Sequence, residues 1–177
     1  GAPRRWASMA VRRTDRGGGV MWMGAIISPC GLYRYSLTRR WADGDTVAWI
    51  MLNPSTADAS MDDPTIRRCI SFSKNWGYGG LQVVNLYGYR ATKPDALKAV
   101  VDPIGPDHEV HFMGALQASA LVIAAWGACK HAEIDHVKHI LTNTLVHCLD
   151  VTADGSPKHP LYVSGNTIPS IYIPKVT

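Results

Sequence analysis

Long hydrophobic runs are absent from this 177-residue sequence. A membrane-spanning helix needs about 20 consecutive apolar residues, and the apolar segments Met21–Ile27 and Leu121–Gly127 are much shorter than that. Neither segment has the pattern of a signal peptide. The sequence therefore predicts a protein that does not associate with membranes.

Cysteine is sparse, and its spacing is not that of metal ligands. The four cysteines are Cys30, Cys69, Cys129 and Cys148, and no two of them form a C-x-x-C pair. This argues against a structural zinc site or a Cys-ligated iron–sulfur cluster and favours a reducing, cytoplasmic setting. A second group combines Cys129 with His131, His136 and His139. Its spacing matches no zinc pattern, so we interpret these histidines as solvated helix positions and predict no metal and no other cofactor.

The common motifs of nucleotide binding and acyl transfer are also missing. The sequence contains no G-x-x-x-x-G-K, no G-x-G-x-x-G and no G-x-S-x-G. A nucleophile–base pair of Ser55 and His159 is disfavoured because nothing in the sequence places the two side chains in contact. Amides, hydroxyls, carboxylates and one loop histidine remain. Such a set suits polarisation and positioning rather than attack by a strong nucleophile.

The composition is that of one globular domain with a basic N-terminus. Hydrophobic residues make up 46% and charged residues 18% of the chain, which is long enough for a proper core. The net charge of +4 comes from the start of the chain, where the arginines are Arg4, Arg5, Arg12, Arg13 and Arg16. We predict that residues 1–19 form a basic, disordered tail and residues 20–177 a single α/β domain. The tail is either a solvated arm or a contact for DNA.

The segment Val47–Cys69 predicts a strand, a polar loop and a helix. Val47–Leu52 is a continuous apolar run, typical of a strand covered on both faces in a parallel sheet. Asp63 suits an N-cap and Pro64 the first helical position, so a helix is expected over Pro64–Trp76. Ligands of open α/β sheets bind at the carboxyl ends of strands. The polar loop is therefore the expected site.

The other elements follow from the same kinds of pattern. Strands are predicted at Val20–Ile27, at Leu32–Leu37 in a hairpin with Val47–Leu52, and at Leu81–Leu86, Leu121–Trp126 and Leu145–Leu149. Helices are predicted at Asp107–Ser119 and Lys130–Thr144. This alternation favours a three-layer α/β/α fold with a central, mainly parallel sheet. Asn53, Asn85 and Gly127 would then follow three strands at one edge, where the loop with His159 can join them.

Several short motifs occur in the order found in a known superfamily. They are LNPS after the first buried strand, DPTIRRC, VVNL, VIAAWG and KHPL. Together they resemble the uracil-DNA glycosylase superfamily, especially its mismatch-specific thymine/uracil branch. At closer range MLNPSTAD, WGYGGLQVVNLYGYRAT and AAWG are similar to a bacterial and phage family of unknown function (DUF1643-like). That second resemblance covers nearly the whole chain after residue 19.

The superfamily resemblance implies a monofunctional DNA glycosylase that flips a pyrimidine out of DNA and leaves an abasic site. It implies that Asn53 orients water and that His159 donates a hydrogen bond to the departing base or contacts phosphate. Asp58, Asp62 or Asp63 is the alternative activator of water, although helix capping is the favoured role of Asp63. Asn85 would read the base edge.

The remaining predicted binding residues carry hydroxyls, positive charge or aromatic rings. Ser55 and Thr56 can bind phosphate, and positive charge can come from Arg67, Arg68, Arg90 and Lys158. Tyr87, Tyr89 or Trp126 could stack on an extruded base. A structural interpretation stands beside each role, since Asn53 can cap a strand, Asn85 can bond within the fold and His159 can be an ordinary loop residue.

DNA is the expected partner, and no obligatory protein partner is predicted. The acidic, hydroxyl-rich loop suits a polar or sugar-bearing modified pyrimidine, such as a hydroxymethylated or glucosylated phage base, and an anti-phage role would follow. Two alternatives remain open. One is a non-catalytic pocket that binds a modified nucleotide or a nucleotide signal, and the other is a hydrolase of free nucleosides or nucleotides.

Overall fold

The computed structural model describes residues 7–8, 11–14, 18–55, 60–128, 139 and 141–174. Thr56, Asp58 and most of the helix predicted over Lys130–Thr144, with Cys129, His131 and His136, lie outside these residues. The strands are β1 Ala7–Ser8, β2 Val11–Thr14, β3 Val20–Ile27, β4 Arg34–Arg40, β5 Thr46–Met51, β6 Gly80–Asn85, β7 Leu121–Ala124, β8 His147–Cys148 and β9 Ser170–Ile171. The helices are α1 Pro64–Asn75 and α2 His108–Gln117, with 3-10 turns at Pro94–Ala99 and Pro160–Tyr162.

The nine described strands form one mixed sheet in the order β1-β3-β4-β6-β5-β7-β8-β9, with β2 also paired to β3. β6, β5, β7 and β8 run parallel to one another. All other pairings among the described strands are antiparallel. The protein is thus an α/β protein, but the expectation of a mainly parallel sheet holds only for its four central strands.

The hairpin predicted between Leu32–Leu37 and Val47–Leu52 is wrong. β4 pairs with β3 and β6, while β5 lies between β6 and β7. β5 is apolar on both sides, and Val47, Ala48, Trp49 and Ile50 are all fully buried. A strand with two apolar faces is most stable at the centre of a covered sheet. The crossover through α1 then brings β6 between β4 and β5.

Hydrophobic clusters cover both faces of the central strands. Val47, Trp49 and Met51 pack in a cluster with Ile66, Cys69, Ile70 and Phe72 of α1. Ala48 and Ile50 belong to a second cluster with Phe112, Ala115 and Leu116 of α2. Successive side chains of a strand point to opposite faces, so β5 supplies both clusters. We call these the α1 face and the α2 face.

The prediction for α1 is confirmed, including its N-cap. The carboxylate Oδ1 of Asp63 accepts a hydrogen bond from the Ile66 amide at 2.8 Å, and Pro64 occupies the first turn. The helix ends at Trp76, followed by Gly77 with φ of +85°, a left-handed conformation that favours glycine. Asp63 is thereby held at the start of α1, in the connection that follows the carboxyl end of β5.

Part of the basic N-terminus is ordered as strands. Val11–Thr14 pairs antiparallel with β3, and Ala7–Ser8 pairs with its other end. The expectation of a disordered tail over residues 1–19 therefore does not hold for these residues, because the open edge of β3 supplies backbone partners that composition does not reveal. Among the described residues no helix is long and apolar enough to cross a membrane.

Candidate functional site

A cavity of about 440 Å³ lies at the carboxyl ends of the central parallel strands. Asn53 follows β5, Asn85 ends β6 and Gly127 follows β7, and all three line the cavity together with His159. The apolar part of the lining is Met51, Leu52, Val83 and Ile66. The structure therefore brings the strand-end residues singled out in the sequence into one site. Ser55 and Asp63 also line it.

Asn53 is held by backbone carbonyl groups. Its Nδ2 donates to the carbonyl of Ala91 at 2.9 Å and to that of Pro54 at 3.1 Å. The Ala91 amide donates back to the Pro54 carbonyl at 3.0 Å, which joins the two loops. Because the amide nitrogen is the donor in both contacts, Oδ1 is the group that Asn53 can offer to a ligand or water.

His159 is oriented as a neutral hydrogen-bond donor. Its Nδ1 accepts from the Leu161 amide at 3.3 Å, which places the ring proton on Nε2. Burial lowers the pKa of His159 below its ordinary value, and the negative charge of Asp63 opposes that shift only in part. The Gly127 amide donates to the Pro157 carbonyl at 2.9 Å and fixes this loop against the end of β7.

Asn85 is anchored from the opposite side of the sheet. It is 3% exposed, and the Nε2 of the equally buried His108 in α2 donates to its backbone carbonyl at 2.6 Å. The β6–β5 register places Asn85 opposite Met51. Because residues that alternate along a strand share a face, the Asn85 side chain lies with that of Val83 on the α1 face.

Arg34 lines the same cavity and was not among the residues selected from the sequence. It is 6% exposed. Burial, and then the nearby positive charge of Arg90, lower the pKa of Arg34 to about 10, while Asp63 acts in the opposite direction. The guanidinium is therefore a cation at neutral pH inside a largely desolvated site.

A β-bulge turns Arg34 toward the cavity. Along the β3–β4 pair Ile26 faces Ser36 while Ile27 faces Arg34, so Tyr35 is the extra residue. Tyr35 instead stacks on His111 of α2 at 5.2 Å between ring centroids. Strict alternation from Leu37, which lies on the α1 face, would send Arg34 to the α2 face. The extra residue reverses this, as bulges beside functional sites do.

Asp63 is a carboxylate in the cavity lining. It caps α1 through Oδ1, and its charge opposes the lowering of the pKa values of Arg34 and His159 by burial. The neighbouring Asp62 is used differently, since it forms a 2.8 Å ion pair with the fully buried Nε of Arg39. The acidic character of this loop is thus partly structural.

Six of the predicted binding residues that the structure describes lie outside the cavity lining, namely Tyr87, Arg67, Arg90, Lys158, Tyr89 and Arg68. Tyr87 is buried in the α2-face cluster. The Arg67 guanidinium donates to the Asp62 carbonyl, and the Arg90 guanidinium donates to the Gly31 carbonyl. Lys158 forms a 2.6 Å ion pair with Asp150. Tyr89, the alternative stacking residue, packs against Tyr33.

Arg68 secures the loop that carries His159. From α1 it donates to the carbonyl of Pro160 at 3.3 Å and to that of Val163 at 2.6 Å. Its guanidinium also lies over the ring of Phe72, 5.1 Å from the centroid. These contacts give Arg68 a positioning role rather than one in the cavity.

Two aromatic residues line the cavity. Trp126 is 7% exposed and meets Tyr172 edge to face, whereas Tyr162 is 80% exposed and lies 5.8 Å from His159 between ring centroids. Trp126 was among the predicted residues. Tyr162 was not, although it ends the stretch KHPLY that contains His159. Thr65 and Thr92 add hydroxyl groups. Within the part of the chain that the structure describes, no group of three or more His, Cys, Asp or Glu side chains could hold a metal ion.

Fold and site together define an α/β protein with a cavity at the carboxyl ends of its parallel strands, in which amide, imidazole, carboxylate and guanidinium groups lie among apolar side chains. A family model described as "Protein of unknown function (DUF1643)" matches residues 34–161, and the chain belongs to this family. The match begins at Arg34 and ends next to Tyr162, so it includes nearly the whole cavity lining. No curated protein and no solved structure matches the chain.

Proposed function

We propose that the protein is a monofunctional DNA glycosylase that hydrolyses the N-glycosidic bond of a flipped-out, modified pyrimidine. The proposal includes a distant relationship to the uracil-DNA glycosylase superfamily, for which the order of the LNPS, VVNL and KHPL motifs is the support. Asn53, Asn85 and His159, which the three motifs contain, line one cavity. A cavity of about 440 Å³ is in the range of pockets that enclose small ligands.

The observation that carries the proposal is that Asn53, with its amide nitrogen held by backbone carbonyls, and a neutral His159 line the same cavity. The Asn53 amide nitrogen is engaged by two carbonyls, so its Oδ1 can accept a hydrogen bond from an attacking water. The Nε2–H of His159 can donate to the departing base. A water acceptor and a donor for the leaving group are the two groups that a dissociative cleavage requires.

The reaction needs no protein nucleophile. The bond between C1′ and the base nitrogen breaks, and its electron pair leaves with the base. The sugar becomes an oxocarbenium-like electrophile, the water oxygen bonds to C1′, and one water proton is released. Asn85 would select the base through a donor and an acceptor on one amide, with Trp126 or Tyr162 as stacking surface.

An abasic-site assay tests this function. The protein is incubated with DNA that contains uracil, mismatched thymine, hydroxymethylated pyrimidines or glucosylated pyrimidines, and abasic sites are read out by alkaline strand cleavage together with detection of the free base. Turnover on one substrate should fall about a hundredfold or more in Asn53→Ala and in His159→Ala, the size of effect seen when one such group is removed.

Lys98→Ala is the matched control, because Lys98 is an exposed cation paired with Asp95, away from the cavity lining. Its activity should equal that of the wild type. Absence of abasic sites on every DNA, or equal loss in all three variants, would contradict the proposal. Turnover on uracil DNA with none on modified DNA would keep the glycosylase and overturn the modified substrate.

A second candidate is a non-catalytic pocket for a modified nucleotide or nucleotide signal. A third is a hydrolase that uses the same cavity to act on free nucleotides. The observation that favours both is the buried cation Arg34, since a guanidinium in a cavity suits a phosphate-bearing ligand. Tight, salt-insensitive binding of a mononucleotide without release of base from DNA would favour the binding pocket. Release of base from free nucleotides alone would favour the hydrolase.

A further inference from the structure

The cavity contains the buried positive charge of Arg34. Neither the water-orienting role proposed for Asn53 nor the hydrogen-bond donation proposed for His159 involves this charge. Arg34 is 6% exposed and reaches the cavity from β4, whereas the three strand-end residues come from β5, β6 and β7. The bulge at Tyr35 is the local cause of this orientation. The backbone there is held by the segment that follows β6, because the Arg34 amide donates to the Gly88 carbonyl at 2.9 Å and Tyr33 is bridged to Tyr89.

Burying a guanidinium is costly unless anionic or polar acceptors surround it. One nearby negative charge is that of Asp63, which acts on Arg34 and His159 alike. Arg90 lies close enough to act on Arg34 with charge of the same sign. A guanidinium that lines a cavity can also bind an incoming group that carries or develops negative charge.

We propose that Arg34 is a further catalytic residue, which contacts a ring carbonyl oxygen of the bound base and stabilises the base as it leaves as an anion. This inference rests on the proposed glycosylase function and specifies its substrate class. The substrate is an oxo-substituted nucleobase, in which a ring carbonyl is conjugated with the glycosidic nitrogen. When the glycosidic bond breaks, its electron pair is delocalised onto that oxygen, where the two donors of one guanidinium edge can bind it.

The division of roles follows from the charge of each group. His159 is held neutral and donates one hydrogen bond, so it cannot balance a full negative charge. Arg34 has a fixed positive charge and does not transfer a proton. The free base takes up its proton from solvent after release, and the proton lost by water balances it. Asn85 then reads the remaining edge of the base.

The first test is the dependence of the rate on the acidity of the leaving base. Single-turnover rates are measured on DNA that contains 5-methyluracil, uracil or 5-fluorouracil, in wild type, Arg34→Gln, Arg34→Lys and the control Lys98→Gln. In wild type the rate should depend weakly on the leaving base. Arg34→Gln should lose about a hundredfold or more on the least acidic base and much less on 5-fluorouracil, with partial recovery in Arg34→Lys. An equal loss on all three bases would overturn the role and indicate a structural residue.

The second test does not require turnover, so it separates failure of this inference from failure of the glycosylase function. Free 5-fluorouracil is titrated into each variant below and above the pKa of the base, and binding is followed by calorimetry. The wild type should bind the anionic form more tightly than the neutral form, and Arg34→Gln should lose that preference. Folding of Arg34→Gln is checked by its unfolding midpoint. No preference for the anion in the wild type, or an unchanged preference in Arg34→Gln, would overturn the inference whether or not abasic sites are formed.

Discussion

The polar side chains of the cavity are fixed mainly by backbone atoms. Asn53 bonds to the Ala91 carbonyl, Asp63 accepts from the Ile66 amide, and His159 accepts from the Leu161 amide. Such contacts survive most substitutions elsewhere, because they depend on the path of the chain and not on a second side chain. In each case one polar atom is used for positioning and another remains for chemistry, which is the arrangement expected of a preorganised site.

His159 gives a prediction at the scale of one residue. Because Nδ1 accepts a hydrogen bond and burial lowers its pKa, we expect a neutral ring with the proton on Nε2 at pH 7 and a pKa below the ordinary value of about 6.5. Nitrogen chemical shifts of labelled imidazole measure both properties. Activity should accordingly stay constant as the pH falls through the ordinary histidine range. An imidazolium ring at neutral pH, or a proton on Nδ1, would contradict the assignment.

Asp63 combines a structural and an electrostatic role, and two substitutions separate them. Asp63→Ala removes the N-cap and should lower the free energy of unfolding by about 1 kcal/mol. Asp63→Ser keeps a capping oxygen and removes the charge, so its stability should stay close to that of the wild type. Urea unfolding of the two variants measures the cap. Activity lost in Asp63→Ser at unchanged stability would identify the charge near Arg34 and His159 as the functional feature, whereas full activity would leave Asp63 as a helix cap.

At the scale of elements, the local signals in the sequence predict α1 and α2 well. The sequence Asp63-Pro64 and the glycine after Trp76 define α1 because capping depends on adjacent residues. The predicted helix Asp107–Ser119 corresponds to α2 over His108–Gln117. The strands β3 to β8 were also found, whereas β1, β2 and β9 were not. The pairing of β4 with β6 was missed because pairing depends on residues far apart in sequence.

The candidate site was predictable where it follows from strand ends and not where it depends on backbone irregularity. Asn53 and Asn85 are found by locating two buried strands. Arg34 was missed because the bulge at Tyr35 reverses the alternation on which its face depends. Tyr87 was misassigned because the chain leaves β6 after Asn85, and Tyr87 then packs on the α2 face. Neither change has a sequence signal as local as a proline or glycine.

Arg68 gives a prediction at the scale of elements, since it joins α1 to the loop of His159. Arg68→Met keeps an apolar stem over Phe72 and removes the two hydrogen bonds to Pro160 and Val163. We expect faster hydrogen exchange at the amides of residues 161–163 and a lower kcat with little change in KM. Arg67→Met is the matched control on the same helix, because its guanidinium contacts Asp62 instead. Equal exchange in both variants would show that Arg68 does not position the loop.

At the scale of the whole molecule, the basic N-terminus lies beside the functional edge of the sheet. β2 places Arg12 and Arg13 as exposed residues, and the Arg13 guanidinium donates to the Ser60 carbonyl at 3.0 Å. Ser60 belongs to the loop between Ser55 and Asp63, both of which line the cavity. Arg12 faces Trp22 across the strand pair, and Trp22 faces Arg40 on the next strand. This row of arginine, exposed tryptophan and arginine lies on the α2 face, whereas Arg13 pairs with Met21 and lies on the α1 face together with the cavity.

The proposed DNA partner gives a prediction about salt dependence. Each phosphate contact that is lost should reduce the slope of log binding constant against log salt concentration by about 0.9, equally for every DNA sequence. We expect Arg13→Ala to reduce the slope by about 0.9 and to leave single-turnover cleavage at saturating DNA unchanged, because Arg13 lies on the cavity face but does not line the cavity. Fluorescence anisotropy over a range of salt concentrations measures the slope, with Lys98→Ala as the control for loss of a surface charge remote from Arg13. An unchanged slope would exclude Arg13 from the DNA contact and leave it as a solvated residue, whereas a loss confined to one DNA sequence would indicate base reading in place of phosphate binding.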